Sequence, residues 1–411
     1  MNHTLVRRLL LVQALLAGGA ASAADIQTQP IIDVRAEQND NFRMAPGGDP
    51  DADVYGVIAD AQLLMDIATP RGTATLRPRI RYQNYPDRDD LEKFEGFLDL
   101  SAGYRWERSS LELIGHLSHE DLYNNETAGG DFDPTDPDGG GGSDTGDIDT
   151  SQVRDEFEIR PTWEHRLTER TSLGLGADYS IVRYDADPGV ETKKDYDYIQ
   201  GDAYLKWAID PRSDVSAGAY VSHYEAVSED DETIDAVGIQ VGYDYRWSEQ
   251  IGFQGRLFYE ENDIEETIPF EFSETTSNFG GYVSAYYRQQ VSRWQMSVGR
   301  SFNPTGDGGK SEIDQFRLVY ERDLSPRLSF KGAGRYETRN GLGSTSNTVD
   351  RDFARLDLSL RWMASRNWYI GGGYAYMWQD RATAADSGDN NKFYINFGYQ
   401  GLRQDTAAGR L

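Results

Sequence analysis

The sequence contains no cysteine among its 411 residues. That excludes a disulfide framework, a thiolate metal site, a cysteine nucleophile and a lipid-modified cysteine anchor. A thiol-free chain suits export into an oxidising compartment. Cations are also scarce: 41 Lys and Arg stand against 69 Asp and Glu, a formal charge of −28. Nucleic acid is therefore not expected as a partner, because phosphate binding needs a basic face. The five histidines, His3, His116, His119, His165 and His223, fall in no His-Glu-x-x-His pair, and no Gly-x-Ser-x-Gly elbow or Walker loop occurs. Ser118, His116 and Glu120 share one strand face, but side chains two residues apart on a strand lie side by side and form no relay. No enzymatic activity and no cofactor are expected. Beyond the amino terminus no stretch offers the ~20 uncharged apolar residues of a membrane-crossing helix.

The amino terminus reads as an export signal. Arg7 and Arg8 precede an apolar run at residues 9–16, and Ala21-Ser22-Ala23 fits the small-residue cleavage rule. Residues 1–23 are assigned to the leader and 24–411 to the mature protein. Loss of Arg7 and Arg8 takes the formal charge from −28 to −30.

What the chain has in excess is aromatic residues and glycine: 25 Tyr, 16 Phe, 8 Trp and 42 Gly. They are arranged with period two, the strand signal. Phe94, Leu98, Leu100, Ala102, Tyr104 and Trp106 share one face, and Glu95, Asp99, Ser101 and Arg105 the other. Val153, Phe157, Ile159, Pro161 and Trp163 alternate with Arg154, Glu156, Glu158, Arg160 and Thr162, and residues 237–247 follow the same rule. Strands of about 10 to 15 residues with one apolar face and one charged face suit a bilayer-spanning barrel better than a soluble sandwich, whose strands run to about five or six residues.

The connections alternate too. One set is short, such as Thr168-Glu169-Arg170-Thr171, Ser325-Pro326-Arg327 and Ser365-Arg366-Asn367; the other is long and acidic. Short periplasmic turns and longer outer loops are the barrel pattern. The spacing predicts an all-β, transmembrane, antiparallel up-and-down barrel of about eighteen strands, with sixteen as the alternative. The first strand is placed near 31–43 and the last near 391–400, with a tail at 401–411. Trp106, Trp163, Trp207, Trp247, Trp294, Trp362 and Trp368 lie close to the short turns, as an interfacial aromatic girdle would. Phe393, Ile395, Phe397 and Tyr399 on the last strand look like the signal read by the barrel-assembly machinery, although the chain does not end on an aromatic.

The same alternation predicts the lumen lining. Arg77, Arg79 and Arg81 form a ladder that either contacts a polyanion or pairs with Glu95, Asp99 or Glu112 on neighbouring strands. Arg154, Glu156, Glu158, Arg160, Arg256, Arg317, Arg335 and Arg355 extend the ionic lining. Tyr198, Tyr204, Tyr282, Tyr286, Tyr369 and Tyr394 are candidates for stacking on sugars. The acidic outer loop 124–150 contains Asp131, Asp133, Asp136 and Asp138, a weak calcium candidate whose spacing misses the EF-hand pattern. It reads more simply as a solvated loop, with inward folding into the lumen as a further option.

Stretches such as Tyr104-Arg105-Trp106-Glu107-Arg108-Ser109-Ser110-Leu111, Leu167-Thr168-Glu169-Arg170-Thr171-Ser172-Leu173 and Leu324-Ser325-Pro326-Arg327-Leu328-Ser329 resemble the periplasmic hairpins of β-barrel porins found with exopolysaccharide biosynthesis clusters. The resemblance implies a role in polysaccharide export and assigns no functional residue. The expected location is the outer membrane of a Gram-negative bacterium. The expected partners are membrane lipid, lipopolysaccharide, the barrel-assembly machinery, a polysaccharide and periplasmic export components. A cation-leaning diffusion porin and a structural or adhesive surface barrel are the alternatives.

Overall fold

A computed structural model describes residues 24–45, 53–86, 88, 91–127, 145, 148, 152–186, 193–227, 232–266, 272–342, 350–382 and 387–405. The proposed leader and Asp131, Asp133, Asp136 and Asp138 lie outside them. Eighteen long strands follow one another along the chain. They are β1 (Asp25–Asn39), β2 (Val54–Ala68), β3 (Gly72–Asn84), β4 (Lys93–Arg105), β5 (Ser109–Asp121), β6 (Gln152–Arg166), β7 (Thr171–Ala186), β8 (Tyr196–Asp210) and β9 (Ser213–Ala226), then β10 (Glu232–Arg246), β11 (Ile251–Glu266), β12 (Phe272–Arg288), β13 (Ser292–Pro304), β14 (Lys310–Ser325), β15 (Leu328–Gly341), β16 (Arg351–Met363), β17 (Trp368–Arg381) and β18 (Gly388–Gln400). Each pairs antiparallel with its neighbours in sequence, and β1 closes the cylinder on β18 from Ile31↔Gln400 to Asn39↔Lys392. Closure removes the sheet edges that lipid cannot satisfy.

The first strand begins at Asp25, six residues ahead of the position expected from its pattern. Gln27, Gln29 and Pro30 hide the alternation there, yet the ladder to β2 runs unbroken from Asp25↔Ala68. Pro30 has no N–H to give β18, and its carbonyl accepts from the Gly401 amide at 2.8 Å. The chain then rejoins β1 as a two-residue strand, β19 (Gln404–Asp405), opposite Gln27 and Thr28. The tail is thus part of the closure at its start.

The outer surface of the cylinder is apolar. Val237, Ile239 and Val241, like Phe393, Ile395 and Phe397, are exposed there. Six of the seven tryptophans near the short turns are well exposed, Trp207 and Trp247 at 58% and 61%; Trp163 is half-buried, stacked on His165 at 5.5 Å. A second collar, of Tyr55, Tyr82, Phe94, Tyr259, Phe279 and Phe393, stands exposed toward the opposite end. That collar is Tyr and Phe rather than Trp, so it was not visible from the tryptophans alone.

The short turns owe their repetition to one hydrogen-bonding device. The first residue of the turn accepts the amides two and three residues on: Ser248 from Gln250 and Ile251, Ser325 from Arg327 and Leu328, Ser365 from Asn367 and Trp368. Thr168 does the same for Arg170 and Thr171. Ser325→Ala and Ser365→Ala should each cost roughly 0.5–1.5 kcal/mol. The check is the urea midpoint of the refolded barrel in lipid vesicles, which should fall without any change in strand content.

Glycine and tyrosine form the second device. On the lumen face Gly174 opposes Tyr204, Gly238 opposes Tyr220, Gly252 opposes Tyr286, Gly373 opposes Tyr394 and Gly398 opposes Tyr369. In each case a Cβ on the glycine would fall within 2.6 Å of the ring, so the tyrosine lies down on the bare backbone of the next strand. Much of the Tyr and Gly excess is this cross-strand joint.

Candidate functional site: a charged lumen capped at its outer end

The arginine ladder on β3 is paired within the wall. Arg77 meets Asp99 of β4 at 3.0 Å, Arg79 meets Asp60 of β2 at 2.7 Å, and Arg81 reaches Asp60 at 3.3 Å and Glu95 at 3.4 Å. Asp60 takes the part expected of Glu112, which remains exposed on β5. Neutralisation continues around the barrel. Arg154 pairs with Glu156 at 2.8 Å, Arg160 with Glu158 at 2.7 Å, and Arg355 with Asp357 at 2.6 Å. Buried Arg335 donates through Nε to Glu337 at 3.2 Å, and Arg317 is likewise buried. Charges drawn away from bulk water need such partners. Arg256 faces the lumen over Tyr282 at 5.7 Å.

The tyrosines expected to carry sugar are structural first. Tyr204, Tyr286, Tyr369 and Tyr394 lie on glycines of the next strand. Several lumen rings also carry a guanidinium: Arg361 stands 3.6 Å over Tyr369, Arg288 4.9 Å over Tyr286 and Arg35 5.4 Å over Tyr394. Tyr369 therefore has both faces occupied. The Ser118, His116 and Glu120 face is likewise tied into the wall. Ser118 donates to Glu120 at 3.2 Å, while His116 bonds Asp99 at 2.7 Å through Nδ1.

After β5 the chain turns into the lumen, as one short helix, α1 (Leu122–Glu126). This corrects the expectation of a solvated loop from residue 124 onward, at least for its described part. Asp121 caps the helix by accepting the Tyr123 amide at 2.9 Å. Tyr123 stacks on Phe42 from the β1–β2 connection at 4.0 Å. Asn124 donates to Glu95 at 2.6 Å and to Gln83 at 3.1 Å. On the far side Glu126 meets Arg351 of β16 at 3.3 Å, and the Thr127 carbonyl accepts from Arg355. The Thr145 amide returns to Glu126 at 2.7 Å, and Ile148 is buried beside Tyr85, Tyr123 and Phe353. Burial, reinforced by the Glu37 charge, lifts the phenols of Tyr85 and Tyr123 well above their ordinary range and keeps them neutral.

A second inward element adds to this cap. The connection between β13 and β14 folds toward β7–β10: Tyr224 donates to the Thr305 carbonyl at 3.3 Å, the Lys194 amide donates to the Gly306 carbonyl at 2.6 Å, and Lys193 meets Asp307 at 2.7 Å. Leu122 of α1 joins Val182, Tyr184, Tyr224 and Ile234 in one buried apolar cluster there. The cap thus has a hydrophobic core of its own, inside the barrel at the long-loop end. Beneath it lies a cavity of about 980 Å³ bordered by Arg79, Asp99, His116, Glu156, Tyr198, Tyr282 and Tyr394, with Asn124, Asn125 and Thr127 as its roof.

A closed antiparallel cylinder that is apolar and collared with aromatics outside, and ionic within, defines an integral β-barrel of the outer membrane of a Gram-negative bacterium. No family model matches the sequence, and no curated protein matches it. Solved structures are similar over nearly the whole length. OccK2 (OpdF) of Pseudomonas aeruginosa, in complex with glucuronate, is 11% identical over 91% of this chain and 98% of its own, with a TM-score of 0.44. OccAB3 of Acinetobacter baumannii is 10% identical over 91% and 99%, also at 0.44. OpdO of Pseudomonas aeruginosa is 12% identical over 92% and 97%, at 0.43. Likeness this distant decides nothing about cargo, and the class rests on the geometry above.

Proposed function

We propose that the chain is an outer-membrane channel that carries a hydrophilic polymer outward, with exopolysaccharide as the cargo class. One observation carries the reading: a polar chamber fills the middle of the barrel while the chain's own segments cap its outer mouth. A general diffusion porin needs a mouth open to solvent; a conduit for one class of solute works with a closed one. Paired charges leave the chamber wall polar but weakly binding, and Tyr198, Tyr282 and Tyr394 border it beside Arg79 and Arg355. Weak, repeated contacts are what translocation requires. The hairpin resemblance favours polysaccharide over other hydrophilic solutes. Lipopolysaccharide around the collars, the assembly machinery at β18 and an export component at the short turns are the partners this reading implies.

Two measurements test it. In liposomes the purified barrel should pass neutral maltodextrins and uronate oligomers, read by swelling rate. A strain lacking the gene should secrete less polysaccharide. Normal secretion from that strain removes the export role; liposomes that do not swell remove the channel itself.

A further inference from the structure

The shortest ladder of the barrel wall lies between β12 and β13; the closing β1–β18 ladder, with nine pairs, is extended by β19. β12 holds β11 through sixteen residue pairs but β13 through only eight, ending at Gly281↔Arg300. β13 itself continues, pairing with β14 through thirteen residues up to Pro304. Among the described residues, 275–280 of β12 have no ladder partner on the β13 side. Above the last pair β13 leaves the wall. Phe302, on its outward-facing register, packs on lumen-facing Phe258 at 6.0 Å, and Lys310 just beyond the turn reaches Asn262 of β11 at 2.9 Å.

Glycines sit where the strands part. Gly281 has φ +155°, and a Cβ there would lie 2.4 Å from the Arg256 carbonyl oxygen; a Cβ at Gly299, which opposes Tyr282, would lie 2.7 Å from the Gly281 oxygen. The height of the parting is fixed by the outer surface. Trp294, Met296 and Val298 below it are exposed and apolar. Arg300 at its base is outward-facing and paired with Asp314 at 2.6 Å. A charged outward pair marks the end of the hydrocarbon layer, so the open edge lies above it, where water can satisfy the backbone.

The cavity follows the same seam. It is bordered by the whole run of residues from 297 to 304, the upper part of β13, of which 301–304 have left β12. We propose that the chamber opens sideways between β12 and β13, just above the hydrocarbon layer, and that a hydrophilic, carbohydrate-like chain leaves through this portal rather than along the capped axis. The portal rests on the channel reading above.

The absence of native cysteine makes the test clean. Asn278→Cys with Asn303→Cys places thiols where a continued ladder would oppose them, and Thr338→Cys with Asp352→Cys marks a ladder pair of β15 and β16 that is present, hydrogen-bonded at 2.7 Å. Mild oxidation should close the second pair and not the first. Bridging the first with a bis-maleimide should slow maltoheptaose-driven liposome swelling at least about tenfold, as blocking a sole exit does; closing the second should leave it unchanged. A spontaneous disulfide at the first pair as efficient as at the second shows a continuous wall and overturns the portal. Unchanged swelling after bridging overturns the portal alone. No swelling from the unbridged protein overturns the channel reading, and the portal with it.

Discussion

Gly174→Val should impair assembly: a weaker heat-modifiable band on a gel, and a reduced folded signal after refolding into vesicles. A side chain at that position would place its first carbon 2.1 Å from the Tyr204 ring, which occupies the glycine's surface. Overpacking a fitted site typically costs about 1–3 kcal/mol; here the clashing atoms are the far end of the Tyr204 ring, which must give up its seat on the strand and swing toward the lumen, so a cost inside that range is expected. Tyr204→Ala alone should cost less, by loss of contact. The double variant should recover most of the assembly lost by Gly174→Val, because the two positions share one volume. Wild-type behaviour of Gly174→Val would show that the ring does not rest there.

Arg351→Met should open the cap. Glu126 and Arg351 are both buried and 225 residues apart in sequence, and their 3.3 Å ion pair fastens α1 to the far wall. Removing Arg351 leaves the Glu126 charge buried without this cation, held by the Thr145 amide and hydroxyl, and loss of one partner of a buried ion pair costs about 3–5 kcal/mol. The helix can escape that cost by leaving its seat, whereas the barrel strands cannot. The expected result is a several-fold rise in single-channel conductance with an unchanged unfolding midpoint of the barrel. Glu126→Leu with Arg351→Met removes both charges and should restore the low conductance, since an apolar pair of similar volume is near neutral in such a place. A conductance that stays at the wild-type level in Arg351→Met would separate the helix from control of the pore.

The barrel was legible because its code is repetitive. Alternation in segments such as 153–163 and 237–247 repeats over many strands, and one wrong parity would turn a whole strand inside out. Turn chemistry was legible as repeated Ser and Thr, each of which captures two amides. The start of β1 was not, since Gln27, Gln29 and Pro30 carry no apolar period. Lumen pairing was half legible: alternation puts Arg79 and Arg81 inside, but only the register puts Asp60 opposite Arg81 and within reach of Arg79. The cap was the least legible part. The helix Leu122–Glu126 is five residues of ordinary composition, and nothing local says that its partners are Phe42 and Arg351, which the closed cylinder brings to the same place. The tyrosine joints escaped for the same reason. A glycine and a tyrosine some 30 residues apart, such as Gly174 and Tyr204, become neighbours only once the strands are in register.

A thiol scan along β16 is the most direct trial of the barrel, since no native cysteine interferes. Single cysteines at residues 354 to 361, in protein reconstituted into vesicles, are treated with a charged, water-soluble maleimide. Positions 355, 357, 359 and 361 should react and 354, 356, 358 and 360 should resist, because the odd residues face the lumen and the even ones lipid. Uniform reactivity along the strand, or reactivity confined to the even positions, would contradict a cylinder with an ionic interior and a lipid-facing exterior.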